Sequence, residues 1–280
     1  MTVVVKIGGA RAVEPEGALA DVAALADEGE DVAVVHGGST AVDDALERMD
    51  IDPEYVETPS GVVGRFTDEE TMDVFKMAMA GLVNTDLVTG LQNAGADAVG
   101  LSGVDGALLT GPRKSAVRVV EDGKKKIRRG DHSGRIESVN AALLESLLAD
   151  GYVPVASPPM LADDGVAVNT DADRASAAVA AALGATLVSL TDVEGVYADP
   201  DDPSTRIERV ATPAEYDRLT DAAEGFMERK VMAATEALDG GAAEVVIASA
   251  NADRPVHAAL DGGGTHVLSG AVTEPEEGST

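Results

Sequence analysis

The chain opens with Val3-Val4-Val5-Lys6-Ile7-Gly8-Gly9 and later repeats the pattern as Val32-Ala33-Val34-Val35-His36-Gly37-Gly38. Each is a continuous β-branched run, without the alternation of a half-exposed strand, and so reads as a parallel strand buried on both faces. Each ends in two glycines, which let the backbone approach a ligand closely. Each then leads into a segment with helical spacing, whose first N–H groups suit an anion. Two such strand ends side by side make a cleft for something phosphorylated, and Lys6 adds a fixed positive charge to it. Taken singly, Lys6-x-Gly8-Gly9 and His36-Gly37-Gly38 fit a tight turn as well as a phosphate cradle.

The alternation continues along the chain. Helices are predicted over 19–27, 41–49, 69–80, 85–92, 139–148, 172–183, 213–219 and 227–238. Strands are predicted over 96–101, 152–156, 186–190, 244–248 and 266–268. Residues 107–130 break the rhythm, because 116–121 and 126–129 flank Asp122-Gly123, a hairpin signature. Strands alternating with helices imply an α/β protein, a three-layer αβα sandwich around a mostly parallel sheet, here with one protruding basic hairpin. Ligands of such sheets bind beyond the carboxyl ends of the strands, where the glycine turns fall. No clean linker divides the 280 residues, so one domain is expected, with an acidic, frayed tail over 271–280.

Composition excludes several classes. There is no cysteine, hence no disulfide, thiolate nucleophile or Cys-ligated zinc. Tryptophan is absent and the aromatics are three phenylalanines and four tyrosines, too few for a base-stacking platform, so no nucleic-acid partner is expected. No apolar run is long enough to span a bilayer, and the first strand begins at once without a signal pattern, which points to a cytoplasmic protein. Fifty acidic residues against twenty-one basic give a net charge of −29, as expected of a protein kept soluble in strong salt by a halophile. No P-loop, dinucleotide fingerprint or Gly-x-Ser-x-Gly elbow occurs.

Three further stretches carry candidate chemistry. Gly61-Val62-Val63-Gly64-Arg65-Phe66-Thr67 presents one arginine on a glycine loop, and a guanidinium fork fits a carboxylate. Asn169-Thr170-Asp171-Ala172-Asp173 precedes an alanine-rich helix, so one of its aspartates caps that helix. If extended, it projects residues 169, 171 and 173 to one side. Gly225-Phe226-Met227-Glu228-Arg229-Lys230 starts a helix with a basic pair, unfavourable against the helix dipole, which favours a functional Lys230.

In chain order, Lys6-x-Gly8-Gly9, His36-Gly37-Gly38, Gly61-x-x-Gly64-Arg65, Asn169-x-Asp171-x-Asp173, Thr191-Asp192-Val193-x-Gly195-Val196-Tyr197 and Gly225-x-Met227-x-x-Lys230 resemble the amino acid kinase family. The match runs through residues 2–270 and is nearest to the acetylglutamate kinase branch. The resemblance implies transfer of the ATP γ-phosphoryl group to a side-chain carboxylate, giving an acyl phosphate. Lys6 and Lys230 would then neutralise the migrating group and Asp173 would hold both lysines. Gly8, Gly9, Thr191, Asp192, Gly195 and Tyr197 would line the nucleotide. Gly37, Gly38, Arg65 and Asn169 would bind the acceptor. Mg2+ would be carried by the ATP phosphates rather than by a protein site. The resemblance also implies an acceptor lobe at about 1–170, a nucleotide lobe at about 171–270, and a homodimer. Ser39 and Asp171 stand where that branch usually has glycine and asparagine, and both departures fall on the acceptor side. The chemistry is consistent with this cast. A carboxylate is already ionised at neutral pH and needs no general base; phosphoryl transfer needs alignment and charge neutralisation.

Residues 113–135 hold nine cationic side chains against Glu121, Asp122 and Asp131, a local +6 in a chain whose other 257 residues carry −35. This island falls on the hairpin. It resembles the hairpin by which a subset of the family docks an acidic amino-group carrier protein of the LysW type, bearing glutamate or 2-aminoadipate. By that likeness Lys114, Arg118, Lys124, Lys125, Lys126, Arg128 and Arg129 would dock the carrier, and Gly130-Asp131-His132-Ser133-Gly134 fits the same subset. The alternative acceptor is free N-acetylglutamate.

Overall fold

The computed structural model describes residues 1–8, 15–59, 61, 63–121, 123–223 and 225–272. Gly9 and residues 273–280 of the expected tail lie outside them. The first half runs β1 (Thr2–Ile7), α1 (Pro15–Asp27), β2 (Asp31–His36), α2 (Ser39–Arg48), β3 (Tyr55–Glu57), β4 (Val63–Arg65) and α3 (Glu69–Lys76). A π-helical stretch, Met77–Val83, joins α3 to α4 (Asn84–Asn93), and β5 (Ala98–Gly103) follows. The middle holds β6 (Leu109–Gly111), β7 (Arg113–Glu121), β8 (Lys124–Gly134), β9 (Ser138–Val139), α5 (Ala141–Ala149), β10 (Val153–Ala162) and β11 (Ala167–Val168). Then come α6 (Ala172–Leu183), β12 (Thr186–Thr191), β13 (Arg209–Val210), α7 (Pro213–Ala222) and α8 (Phe226–Asp239). The chain closes with β14 (Glu244–Ser249), α9 (Pro255–Leu260) and β15 (Thr265–Leu268).

Eleven strands form one sheet in the order β13-β15-β14-β12-β1-β2-β10-β6-β9, with β5 and β11 also paired to β10. The pairs from β14 through β12, β1 and β2 to β10 are parallel. Strand β1 is central, and its side chains alternate between two apolar layers. Val3, Val5 and Ile7 join the core lined by α1, α4 and α9. Val4 joins the core lined by α5, α6, α7 and α8. The two layers with the sheet between them are the expected three-layer sandwich. A third cluster, Val42, Leu46, Met72, Phe75 and Met79, packs α2 against α3 and the π-helical stretch.

Helix ends follow local chemistry. Asp171 is the cap of α6, its side chain accepting the Arg174 N–H at 3.0 Å, and Gly184 ends that helix in the left-handed conformation at φ 58°. Thr212 and Glu215 close a capping box at α7.

Several boundaries differ from the sequence reading. The helix predicted over 69–80 is α-helical only to Lys76 and then π-helical, a change of hydrogen-bond register that leaves the apolar spacing nearly intact. The strand predicted to stop at 156 continues to Ala162 through Pro158-Pro159, which fall between the stretch paired to β2 and β5 and the stretch paired to β6 and β11. Residue 139, predicted helical, lies in β9, and Asn140 caps α5. Strands β3, β4, β6, β9, β11 and β13 have two or three residues each, too short for periodicity to reveal.

Candidate active site

Because Val4 faces the α6 and α8 layer, Lys6, two residues on, faces it too. Asp173 is the second residue of α6 and Lys230 the fifth of α8, two helices packed side by side on that layer. Lys6 Nζ lies 2.6 Å from Asp173 Oδ1, and Lys230 Nζ lies 3.4 Å from the same oxygen. The residues Lys6 and Lys230, from opposite ends of the chain, therefore converge on one carboxylate. Lys230 sits just past the first turn of α8, so the dipole conflict inferred from the sequence falls on Arg229 instead.

The side chains are largely buried, with 6% of Lys6, 12% of Lys230 and 18% of Asp173 exposed. Burial pushes the Asp173 carboxyl up, but the two ammonium groups outweigh it and hold its pKa below the ordinary value. Burial, followed by repulsion from Lys6, pulls the Lys230 pKa below that of an ordinary lysine, against the attraction of Asp173. Two cations around one anion leave a net positive charge in a low-dielectric pocket. An unpaired buried charge is costly, so the arrangement favours entry of another anion.

Gly8 lies beside this group. A Cβ there would stand 3.8 Å from Lys6 Nζ and 3.7 Å from the Leu190 carbonyl of β12, so the backbone is close to both the lysine and the next strand. On the β12 side, Thr191 is buried and its hydroxyl donates to Asp192 at 3.0 Å. Gly195 has φ 155°, and a Cβ there would meet Thr265 Oγ1 at 2.7 Å; that hydroxyl accepts the Val196 N–H at 2.8 Å. Tyr197 is bridged to Arg206. The loop from 191 to 197 is thus pinned against β15.

The other side of the cleft is built from β2, the β3–β4 pair and Asn169. Gly37 donates its N–H to the Ile7 carbonyl at 3.0 Å, tying β2 to β1, and Gly38 is the uncapped start of α2. Arg65 pairs with Asp43 and donates to the Ser39 carbonyl at 3.0 Å and to Tyr55 Oη at 3.1 Å; its side chain is 6% exposed. Tyr55 in turn donates to Asp43 at 2.8 Å. Asn169 Nδ2 donates to Thr67 Oγ1 at 3.0 Å, and its backbone bonds His132 and Gly134 at 2.8 Å each. The three polar residues of 169–173 do not share one side, because the helix begins at Ala172: Asn169 holds Thr67, Asp171 caps, and Asp173 meets the lysines. Arg229 of α8 donates to the Val63 carbonyl, so the two sides touch.

The hairpin β7–β8 has two different faces. Val117, Val119 and Glu121 pair with Arg128, Lys126 and Lys124, and this face turns inward, for Val119 is fully buried. Here Arg128 lies 4.1 Å over the Phe66 ring and binds Glu54, and Lys126 binds Glu121 at 2.7 Å. Ala116, Arg118 and Val120 pair with Arg129, Ile127 and Lys125 on the outer face. Ile127 is 67% exposed there, and Arg118, Lys125 and Arg129 are exposed beside it with no ion-pair partner among the described residues. Lys114 and Lys124 are also exposed. At the hairpin base Asp131 is buried, accepting the Thr67 N–H at 3.3 Å and the Ser133 hydroxyl.

The model of the amino acid kinase family matches residues 1–249. The chain belongs to that family. Among relatives, it is 45% identical over 271 residues to the LysW-aminoadipate kinase of Thermus thermophilus, covering 95% of this chain and 99% of that protein. It is 42% identical over 267 residues to the acetylglutamate kinase of Methanopyrus kandleri, covering 94% and 99%. Among solved structures, the N-acetylglutamate synthase of Neisseria gonorrhoeae superposes with a TM-score of 0.74 at 24% identity, over 98% of this chain and 60% of that one, a likeness of fold.

As an amino acid kinase the chain is a phosphotransferase that works on ATP; Lys6 stands near the end of β1, beside β12, and Lys230 reaches the same carboxylate from α8. Sequence reasoning missed the supporting side chains of this amino acid kinase: Asp43 and Tyr55 around Arg65, Thr67 and Asp131 under Asn169, and Asn84 beside His36. Asp43, Tyr55 and Asn84 occur singly, in no motif, and the stretches that hold Thr67 and Asp131 give no sign of their partners.

Proposed function

We propose that this chain phosphorylates the side-chain carboxylate of 2-aminoadipate or glutamate carried on a small acidic LysW-type protein, with ATP as donor, in lysine or arginine synthesis. The observation that carries the reading is the outer face of the hairpin: three exposed cations, with no ion-pair partner among the described residues, around an exposed isoleucine, on a chain of net charge −29. A strongly acidic protein gains nothing in solubility from such a patch; an acidic partner would complement it. The names of the Thermus thermophilus and other relatives point to the same acceptor. Of the seven docking residues expected, Arg118, Lys125 and Arg129 are best disposed for contact, Lys114 and Lys124 flank them, and Lys126 and Arg128 hold the hairpin in shape.

In this reading Lys6 and Lys230 neutralise the charge that builds on the transferred phosphoryl group, and Asp173 keeps the two ammonium groups together until it arrives. Gly8, Gly9 and the loop Thr191, Asp192, Gly195 and Tyr197 line the nucleotide. Gly37 acts through its bond to Ile7, and Gly38, Arg65 and Asn169 bind the acceptor end. The lobes at about 1–170 and 171–270 meet along this line. Asp173 Oδ1 is engaged by both lysines, so Mg2+ would be held by ATP phosphates and water. Bound there, it would supply further charge neutralisation. A homodimer belongs to the same proposal, supported by exposed Met77 and Leu82 on one π-helical stretch; light scattering should read twice the chain mass. So does a cytoplasmic, high-salt setting, supported by the acidic excess.

The test is turnover with ATP and magnesium on the carrier-linked acceptor and, separately, on free N-acetylglutamate. The proposal expects a higher kcat/KM on the carrier-linked acceptor. Faster turnover of the free acid would replace it with the acetylglutamate kinase reading, which the Methanopyrus kandleri relative represents.

A further inference from the structure

His36 at the end of β2 is fully buried and takes no part in the chemistry above. Its ring is held at both nitrogens. Nδ1 lies 2.9 Å from the Gly37 carbonyl, and Nε2 lies 3.0 Å from Asn84 Nδ2. The same Asn84 nitrogen donates to the Val155 carbonyl of β10 at 2.9 Å. A backbone carbonyl can only accept, so the Asn84 atom facing it is the amide nitrogen, and its second N–H points at Nε2. Nε2 is therefore the bare nitrogen and Nδ1 carries the proton, matching the Gly37 carbonyl, which also can only accept. Burial lowers the His36 pKa to about 4, so this neutral tautomer persists throughout the physiological range.

The consequence lies in the peptide that follows. The carbonyl of Gly37 and the N–H of Gly38 belong to one planar trans peptide and point in opposite directions. Drawing the carbonyl in toward the buried imidazole turns the Gly38 N–H the opposite way, at the start of α2, where it has no acceptor among the described residues. The site is packed to keep this setting. A Cβ on Gly38 would come 2.6 Å from Met79 Sδ of the π-helical stretch, and one on Gly100 of β5 would come 2.1 Å from Asn84 Oδ1. Asn84 directly follows that stretch, so the change of helical register and the close approach of β5 fix where its amide stands.

We propose that His36, oriented by Asn84, is a positioning residue that aims the Gly38 N–H at the acceptor. This rests on the reading of Gly38 as part of the acceptor site. Two substitutions separate positioning from packing, because the side-chain nitrogen of asparagine can donate from where Nδ1 stands and the side-chain oxygen of glutamine can accept where Nε2 stands. His36→Asn keeps a donor for Gly37 and loses the Asn84 contact; His36→Gln does the reverse. Each gives up one buried hydrogen bond, so both should lower Tm by similar amounts. His36→Gln should raise the acceptor KM on the order of 10-fold with the ATP KM unchanged, while His36→Asn stays within a few-fold of the parent. The split is read on whichever acceptor, carrier-linked or N-acetylated, the parent turns over, so a wrong choice of acceptor shows in the parent and not in the split. Gly100→Ala, remote from the cleft, should act like His36→Asn, because displacing Asn84 leaves the Nδ1 donor to Gly37 in place. Equal acceptor KM values for the two His36 variants would overturn the proposal. So would ring-nitrogen NMR of the parent showing the proton on Nε2, a readout that needs neither folding variants nor an acceptor.

Discussion

The molecule carries positive charge in two settings that differ in almost every physical respect. Lys6 and Lys230 are buried, share one carboxylate oxygen and come from opposite ends of the chain. Arg118, Lys125 and Arg129 are exposed, lie within one hairpin and have no described ion-pair partner. Burying an ammonium is expensive unless it is paired, which is why the first group needs Asp173 and the architecture of three elements to hold it. Exposed cations cost little and need only a strand to display them. The first setting gives a strong, short-range field suited to chemistry, which salt screens weakly. The second gives a broad surface for meeting another macromolecule, and in molar salt, with a Debye length of about 3 Å, it acts through direct contact rather than at a distance.

The contrast can be broken at either end. The largest effect is expected at the buried end. Lys6→Met should lower kcat by about 10²–10³-fold, the usual loss when one group stabilising transition-state charge is removed, while leaving acceptor KM nearly unchanged. Steady-state kinetics checks it, and a loss confined to acceptor KM would move Lys6 out of the chemistry. A smaller effect is expected for Asp171→Ala, which removes the α6 cap and should cost about 1 kcal/mol of stability in denaturant unfolding, with kcat little changed. That would separate Asp171, which caps, from Asp173, which holds the lysines.

The smallest effect concerns Lys230 and is a dependence on pH. Its folded pKa is lowered from 10.5, so between the lowered value and 10.5 the unfolded chain binds more protons than the folded one. Stability should therefore rise as pH climbs through that window, and Lys230→Met should flatten the rise. For Asp173, also lowered, the window is acidic: its contribution is complete above the ordinary carboxylate value of 3.8 and is lost as pH falls through the depressed one. Urea unfolding across pH measures both, and an alkaline rise retained in Lys230→Met would contradict the assignment.

The two settings also differ in how legible they were. The central sheet could be read because β1, β2 and β14 are apolar runs rich in β-branched residues, and α6 because its apolar spacing and both its ends are marked in the sequence. The hairpin was legible from Asp122-Gly123 and from its charge, although which cations face outward depends on the bulge between Lys114 and Ala116, which local sequence does not reveal. The residues of the buried site were identified through the order of motifs. Their meeting is a property of topology: Lys6 and Lys230 approach because β1 lies beside β12 and because α6 packs on α8. The supports that went unread, Asp43, Tyr55, Thr67 and Asn84, are single polar residues whose partners lie far away or across short strands, where neither periodicity nor spacing carries a signal.

The measurement that bears most directly on the division between the two settings is a charge reversal of the outer hairpin face, Arg118→Glu, Lys125→Glu and Arg129→Glu together, assayed on carrier-linked and free acceptors. The expected result is a fall in kcat/KM on the carrier-linked acceptor on the order of 10-fold or more, with turnover of the free acid and the ATP KM unchanged. An equal fall on both acceptors, or no fall on either, would contradict the assignment of recognition to the hairpin and chemistry to the buried lysines.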